Sequence, residues 1–393
     1  MKPARVLHVI TRFNLGGAQE TTLLGAALVD QARFPSEILT GTQIGLEGDL
    51  FGEAKERGVH LHFEPSLVRE VNPVKDALAL SRLVSFYRRY RPDIVHTHAS
   101  KAGILGRAAA RIAGVPIVLH TAHGWGFRPS QSFVVRSLYE TLERWCAAAS
   151  DRIAVVSKPT FDAAVERGIG PPEKFVVIRD AIELDRYQAD PVLREAKRRE
   201  LGFGPEHFVF GFVSRLSPPK DAESVVRAFA RIAARHPNAR LVVVGDGELR
   251  VGTERAIAEL GIVDRVHMAG LRKDVPAFLS AFDAFVLVTA WEGLPRVLPQ
   301  ALAAGLPIIT TAVDGTPEAV REGESGFLIP VGDFETLVDR MDRLAADPAR
   351  AKRMGEAGKP LVEEFSARTM AHQLEDLYAE LLSRGARPGA RAE

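Results

Sequence analysis

AFVLVTAWEGLPRVLPQALAAGLPIITTAVDGTPEAV, residues 284–320, contains one complete unit of the pattern that decides the fold. AFVLVT (284–289) is a short apolar run rich in β-branched and aromatic side chains, as expected of a strand buried on both faces. A helical stretch follows and runs to Gly305 and Pro307, a normal stop. PIITT (307–311) is a second strand, and VDGTPE returns the chain to a loop. Strand, helix and parallel strand make a right-handed βαβ unit, the building block of open sheets with helices on both faces.

The same alternation extends in both directions. FVFGFVSRL (208–216), LVVVGDG (241–247), VHMAG (266–270) and GFLIP (326–330) complete one set of strands, with helices such as ESVVRAFARIAARHP between them. The first half repeats the scheme with VLHVI (6–10), SEILT (36–40), VHLHF (59–63), IVHTH (94–98), IVLHTA (117–122), RIAVVS (152–157) and FVVI (175–178). A charged stretch without strand character, 183–207, separates the halves. The expectation is two Rossmann-like, doubly wound α/β domains facing each other across a cleft, over 1–185 and 186–365. An amphipathic C-terminal helix would begin at 366 and pack back toward the first domain, and a disordered Gly/Pro/Arg-rich tail would close 366–393.

The chain has 393 residues, 46% of them hydrophobic, enough for two cores. Its one cysteine, Cys146, makes no internal disulfide and no multi-cysteine zinc site. No apolar run reaches the length of a membrane span, and the N-terminal run is too short for a signal-peptide core, so a cytoplasmic protein is expected. The net charge is +1, but residues 82–179 carry 15 basic against 7 acidic residues. That imbalance suits an anionic partner, such as a lipid phosphate or the inner face of a membrane, or a plain solvated surface. No nucleic-acid partner is expected.

In open α/β sheets, ligands sit at the carboxyl ends of strands, so the loops there carry the candidates. TRFNLGGAQE (11–20) places Gly16 and Gly17 at a helix start, where backbone can approach an anion or simply turn. It is not G-x-G-x-x-G, which disfavours a nicotinamide oxidoreductase. VSRLSPPKD places Arg215 and Lys220 after a strand, a guanidinium fork and a mobile ammonium suited to a leaving diphosphate. VGDGELR (244–250) is either a loop near a nucleotide base or a turn. In WEGLPRVLPQ, Gly293 and Leu294 are expected to present N–H groups at a helix start, Glu292 to accept hydrogen bonds from sugar hydroxyls, and Gln300 to follow on the same helix.

These motifs, in this order and after these strands, resemble glycosyltransferase family 4, the retaining enzymes of the GT-B fold with an E-x7-E signature. The resemblance covers most of the chain: the glycine-rich first loop, His96 and His98, His123-Gly124, the Arg215/Lys220 pair, V-G-D-G and the Glu292 segment. It implies a hexose-type sugar moved from a nucleotide diphosphate donor to a glycan, lipid-linked or small-molecule acceptor in cell-envelope polysaccharide synthesis. His123 would face the donor sugar and acceptor, with His120 as competitor, Arg215 and Lys220 would hold the diphosphate, and Glu292 the sugar. The second signature acid is replaced by Gln300, which would still offer the ribose an acceptor. No cofactor is expected, and no metal, since there is no Asp-x-Asp triplet. Of His96 and His98, one is expected to be buried and the other to face the cleft. Two other readings share the architecture: a nucleotide-sugar epimerase and a non-catalytic nucleotide-sugar binding protein.

Overall fold

The computed structural model describes residues 2–43, 48–127 and 131–385. All thirteen apolar runs form strands: β1 Val6–Ile10, β2 Ser36–Thr40, β3 Leu61–Phe63, β4 Ile94–His98, β5 Ile117–Ala122, β6 Arg152–Val155, β7 Phe175–Val177, β8 Phe208–Val213, β9 Ala239–Val244, β10 Val266–Gly270, β11 Ala284–Leu287, β12 Ile308–Thr311 and β13 Gly326–Ile329. They build two sheets, ordered β3-β2-β1-β4-β5-β6-β7 and β10-β9-β8-β11-β12-β13. Every strand pairing is parallel. Both orders reverse direction once, between β1 and β4 and between β8 and β11. That reversal is the switch point where doubly wound sheets bind ligands.

The chain divides into two compact units, Met1–Ala181 with Ala367–Glu393, and Ile182–Ser366. In the first, the C-terminal helix Ala367–Gly385 covers one face of the seven-stranded sheet. Met370, Leu374, Leu377, Tyr378 and Leu381 pack with Val6, Leu24, Ile94 and Leu119 in one buried cluster. Each large side chain so buried contributes roughly 1.5–3 kcal/mol. The tail expected to be disordered lies, from residue 386 on, outside the described residues. On the other face of the sheet, Leu83, Tyr87, Ala102 and Ala109 pack against Leu7, Val9, Val95 and Val118.

The charged stretch 183–207 holds the helix Pro191–Glu200, capped by Asp190, whose carboxylate accepts from the Val192 and Leu193 amides. Its basic residues hold the second unit together. Arg194 and Arg198 both bind the Asp283 carboxylate at 2.5 and 3.0 Å, just before β11, and Lys197 reaches Asp274 at 2.8 Å.

Candidate functional site

In the second unit the loops after β8 and β11 run together at the switch point. Lys220 and Thr289 form an antiparallel bridge. The Ala290 amide donates to the Pro219 carbonyl at 3.1 Å, and the Asp221 amide to the Val288 carbonyl at 3.0 Å. This zipper delivers the Lys220 ammonium onto the Glu292 carboxylate, and the two form an ion pair. Thr289 Oγ1 donates to the same Glu292 oxygen at 2.9 Å. The Glu292 amide donates to Asp314 Oδ2 at 2.5 Å, and Asp314 itself has φ 43, in the left-handed region. Burial, with the Arg215 guanidinium as the second cause, draws Lys220 down to about 7.

Arg215 sits exposed five residues before Lys220. What holds its loop is V-G-D-G. Gly245 and Gly247 have φ +134 and +152, and a Cβ would come within 1.8 Å of the Ser214 carbonyl oxygen and 2.3 Å of that of Leu216. Between them, the Asp246 carbonyl accepts from the Leu216 amide at 2.9 Å. The glycines are therefore there so that two loops can touch backbone to backbone, a turn with a positioning role.

The helix after Glu292 spans Val297–Ala303. Gly293 and Leu294 thus precede it by a Pro295-containing turn and are not its first residues, a correction to the sequence expectation. Leu294 is buried as an apolar anchor, and the Gly293 carbonyl accepts from Gly315 at 3.0 Å. Gln300 lies within the helix, on a wholly buried stretch from Leu298 to Ala303.

In the first unit, Gly16 caps the helix Gly17–Leu28 with extended backbone, φ 171, after the end of β1. A side chain at Gly16 would meet only the tip of Gln19. His123, just beyond β5, is held on both nitrogens. Its Nδ1 lies 2.8 Å from Asp180 Oδ1 and its Nε2 3.3 Å from His98 Nδ1. His98 Nε2 in turn lies 3.0 Å from His8 Nδ1. The expectation that His96 and His98 divide between core and cleft is wrong: residues two apart in a strand share a face. Both are buried, and His96 is bonded to the Tyr378 hydroxyl at 2.9 Å and to the Thr121 hydroxyl at 2.7 Å. His120 is buried on the opposite face, 2.9 Å from Thr97 Oγ1. Burial draws His8 down to about 3 and holds His96, His98 and His120 well below the ordinary imidazole range.

The sequence-expected residues thus form two groups. Arg215, Lys220, Glu292, Gly293, Leu294 and Gln300 belong to the second unit, and Gly16, Gly17 and His123 to the first. Sequence reading missed Asp180, His8, Thr289 and Asp314. Asp180 carried one signal, a carboxylate shortly after the end of a strand, β7. Two groups among the described residues bring three metal-capable side chains together, His8/His96/His98 and Glu37/His60/His62. In the first, both nitrogens of His96 and of His98 already have hydrogen-bond partners within the protein.

Two family models match the chain in succession: a glycosyl transferase 4-like domain over residues 16–181 and glycosyl transferases group 1 over residues 194–360. The chain is a family-4-type glycosyltransferase. It is 29% identical over 381 residues to an Escherichia coli UDP-Gal:alpha-D-GlcNAc-diphosphoundecaprenol alpha-1,3-galactosyltransferase, covering 96% of this chain and 97% of that one. It is 27% identical over 326 residues to the capsular polysaccharide biosynthesis glycosyltransferase CapM of Staphylococcus aureus, covering 80% of this chain and 83% of that one. Among solved structures, Anabaena Alr3699/HepE in complex with UDP and glucose superposes with TM-score 0.82 at 20% identity, over 96% of this chain and 100% of that one. WaaG, a glycosyltransferase involved in lipopolysaccharide biosynthesis, superposes with TM-score 0.75 at 18% identity, over 95% of this chain and 99% of that one. The fold of this transferase is therefore GT-B.

Proposed function

We propose that this glycosyltransferase moves a hexose, with retention of configuration, from a UDP-sugar to a lipid-linked diphosphate saccharide. The observation that carries the reading is the Lys220–Glu292 pair at the β8/β11 switch point, with Arg215 on the same loop. A diphosphate there would draw the Lys220 ammonium and the Arg215 fork onto its oxygens and release Glu292 to accept from sugar hydroxyls. Gln300 would meet the ribose with an amide oxygen, and Gly293 and Leu294 would offer backbone N–H groups. Two cations on one loop can neutralise the leaving group, so no metal or other cofactor is called for. The leaving phosphate oxygen would take the acceptor's proton on the same face of the sugar, which requires no protein nucleophile.

The relative that acts on a diphosphoundecaprenol saccharide supports a lipid-linked acceptor here. So does the surface of the helix Phe133–Ala148. Phe133, Val134, Leu138 and Trp145 are 73%, 74%, 58% and 56% exposed. Val134, Leu138 and Trp145 recur at helical spacing on one face. Together with the basic excess over 82–179, that stripe suits peripheral docking on an anionic bilayer. No helix among the described residues is long and apolar enough to cross a membrane. The relatives named above are transferases, which favours transfer over the epimerase and binding-only readings.

The test is incubation with UDP-galactose, UDP-glucose and UDP-N-acetylglucosamine and an N-acetylglucosaminyl diphosphate lipid, with the product linkage read by NMR. An α-linked product supports the reading; a β-linked product removes retention. Cosedimentation with anionic vesicles, lost in F133S/W145S, supports docking; unchanged cosedimentation of that variant removes the helix from it.

A further inference from the structure

The His123 contacts form one line, Asp180–His123–His98–His8, and its direction follows from a single fact. A carboxylate oxygen only accepts, so His123 Nδ1 carries the proton in the 2.8 Å bond to Asp180. Nε2 of neutral His123 is then a lone pair and accepts from His98 Nδ1–H. His98 Nε2 likewise accepts from His8 Nδ1–H. The line ends at His8 Nε2, a buried nitrogen with no hydrogen-bond partner among the described residues. In this direction the orphan is a lone pair. Reversing the line would need a doubly protonated His123 and would leave a buried N–H without an acceptor, the costlier and rarer defect. Burial holds both His8 and His98 neutral, in agreement. A small cavity lined by His8, Thr21, His96, His98, Thr121 and Asp180 runs beside the line.

We propose that Asp180, with His98 and His8 behind it, is a positioning residue that locks His123 as its Nδ1–H tautomer, so that Nε2 meets a substrate hydroxyl as an acceptor. This rests on the proposed sugar-transfer function and on the family resemblance, which implies that His123 faces the sugar. The 3.3 Å contact to His98 is the longest of the three bonds, and it is the one a hydroxyl would displace. Asp180 acts through His123 and need not touch the substrate, as carboxylates that orient an imidazole do elsewhere.

Two measurements on the full-length protein test it. Histidine-selective 15N NMR at neutral pH reads the tautomers directly. The expected result is Nδ1–H at His123, His98 and His8, with all three resonances moving together in D180N. An Nε2–H tautomer at His123, or a D180N spectrum in which His98 and His8 stay put, overturns the chain. The second measurement is a double-mutant cycle on transfer from UDP-galactose to an N-acetylglucosaminyl diphosphate lipid. D180N keeps the volume but adds a donor, so the lock is lost. A fall in kcat on the order of tenfold to a hundredfold is expected, with no further fall when D180N is added to H123A. D180N at wild-type rate, or an undiminished effect in the H123A background, overturns the positioning role. Absence of turnover in the wild type, or a fully active H123A, counts against the proposed function and the placement of His123, while the spectra still decide the chain.

Discussion

The Lys220 ammonium and the Glu292 carboxylate, 72 positions apart, form an ion pair where the loops after β8 and β11 are zipped together. Two adjacent strands of a parallel sheet need a long crossover between them, so such a pair arises from topology and not from local sequence. Glu292→Gln keeps the shape and removes the charge, leaving Lys220 without its counterion. Charged hydrogen bonds contribute about 1.5–3 kcal/mol, so kcat/KM should fall roughly tenfold to a hundredfold while the fold persists. Steady-state kinetics beside a melting curve checks both halves. An active E292Q would remove Glu292 from the donor site.

Lys220 gives the donor affinity a pH dependence. Its ammonium is drawn down to about 7, and a bound diphosphate would raise it again by attraction. Binding therefore takes up a proton above that point, and affinity for UDP should weaken as pH rises from 7, by up to about tenfold per pH unit. Calorimetric titrations between pH 6 and 9 measure this. K220R, charged throughout, should bind with a flat profile over the same range.

The V-G-D-G turn gives a prediction that separates positioning from chemistry. Gly245→Ala puts a Cβ into the Ser214 carbonyl at a φ of +134, which side chains rarely adopt. Strain of this kind costs about 1–3 kcal/mol, and relief requires the Arg215 loop to move. The melting temperature should fall, and UDP affinity with it. Unchanged UDP affinity in a destabilised G245A would show that the loop's placement does not matter to the donor.

The fold was legible because its information is local. Runs such as VLHVI, IVLHTA and FVFGFV have the composition of doubly covered strands, and all of the expected runs proved to be strands. Arg215, Lys220 and Glu292 were legible because loops after parallel strands gather at one edge of a sheet. The His123 environment was not, since Asp180 and His8 reach it from 57 residues away and through a bond spanning 90. No pattern in the chain announces those contacts. The errors were geometric: His96 and His98 share a face because strands repeat every two residues, and Pro295 delays the helix beyond Gly293 and Leu294.

The buried histidines predict acid sensitivity. His8, His96, His98 and His120 are all held neutral by burial. Their folded values lie below the unfolded one, so their contribution is intact above about 6.5 and is lost as pH falls below it. Each histidine adds up to about 1.4 kcal/mol per pH unit to that loss. Denaturant titrations between pH 7.5 and 5 should show a steep decline, shallower by about one proton in H8L. A flat profile would contradict the burial of these rings.

Transfer of a sugar from a nucleotide diphosphate donor is proposed to run through the Arg215/Lys220/Glu292 group. The most direct measurement is release of UDP from a panel of UDP-sugars in the presence of an N-acetylglucosaminyl diphosphate lipid, with wild type beside K220M. The expected result is acceptor-dependent release of UDP with one sugar, a glycosylated lipid in equal amount, and neither with K220M. Equal turnover by K220M would contradict it, as would the absence of any transfer by the wild type across the panel.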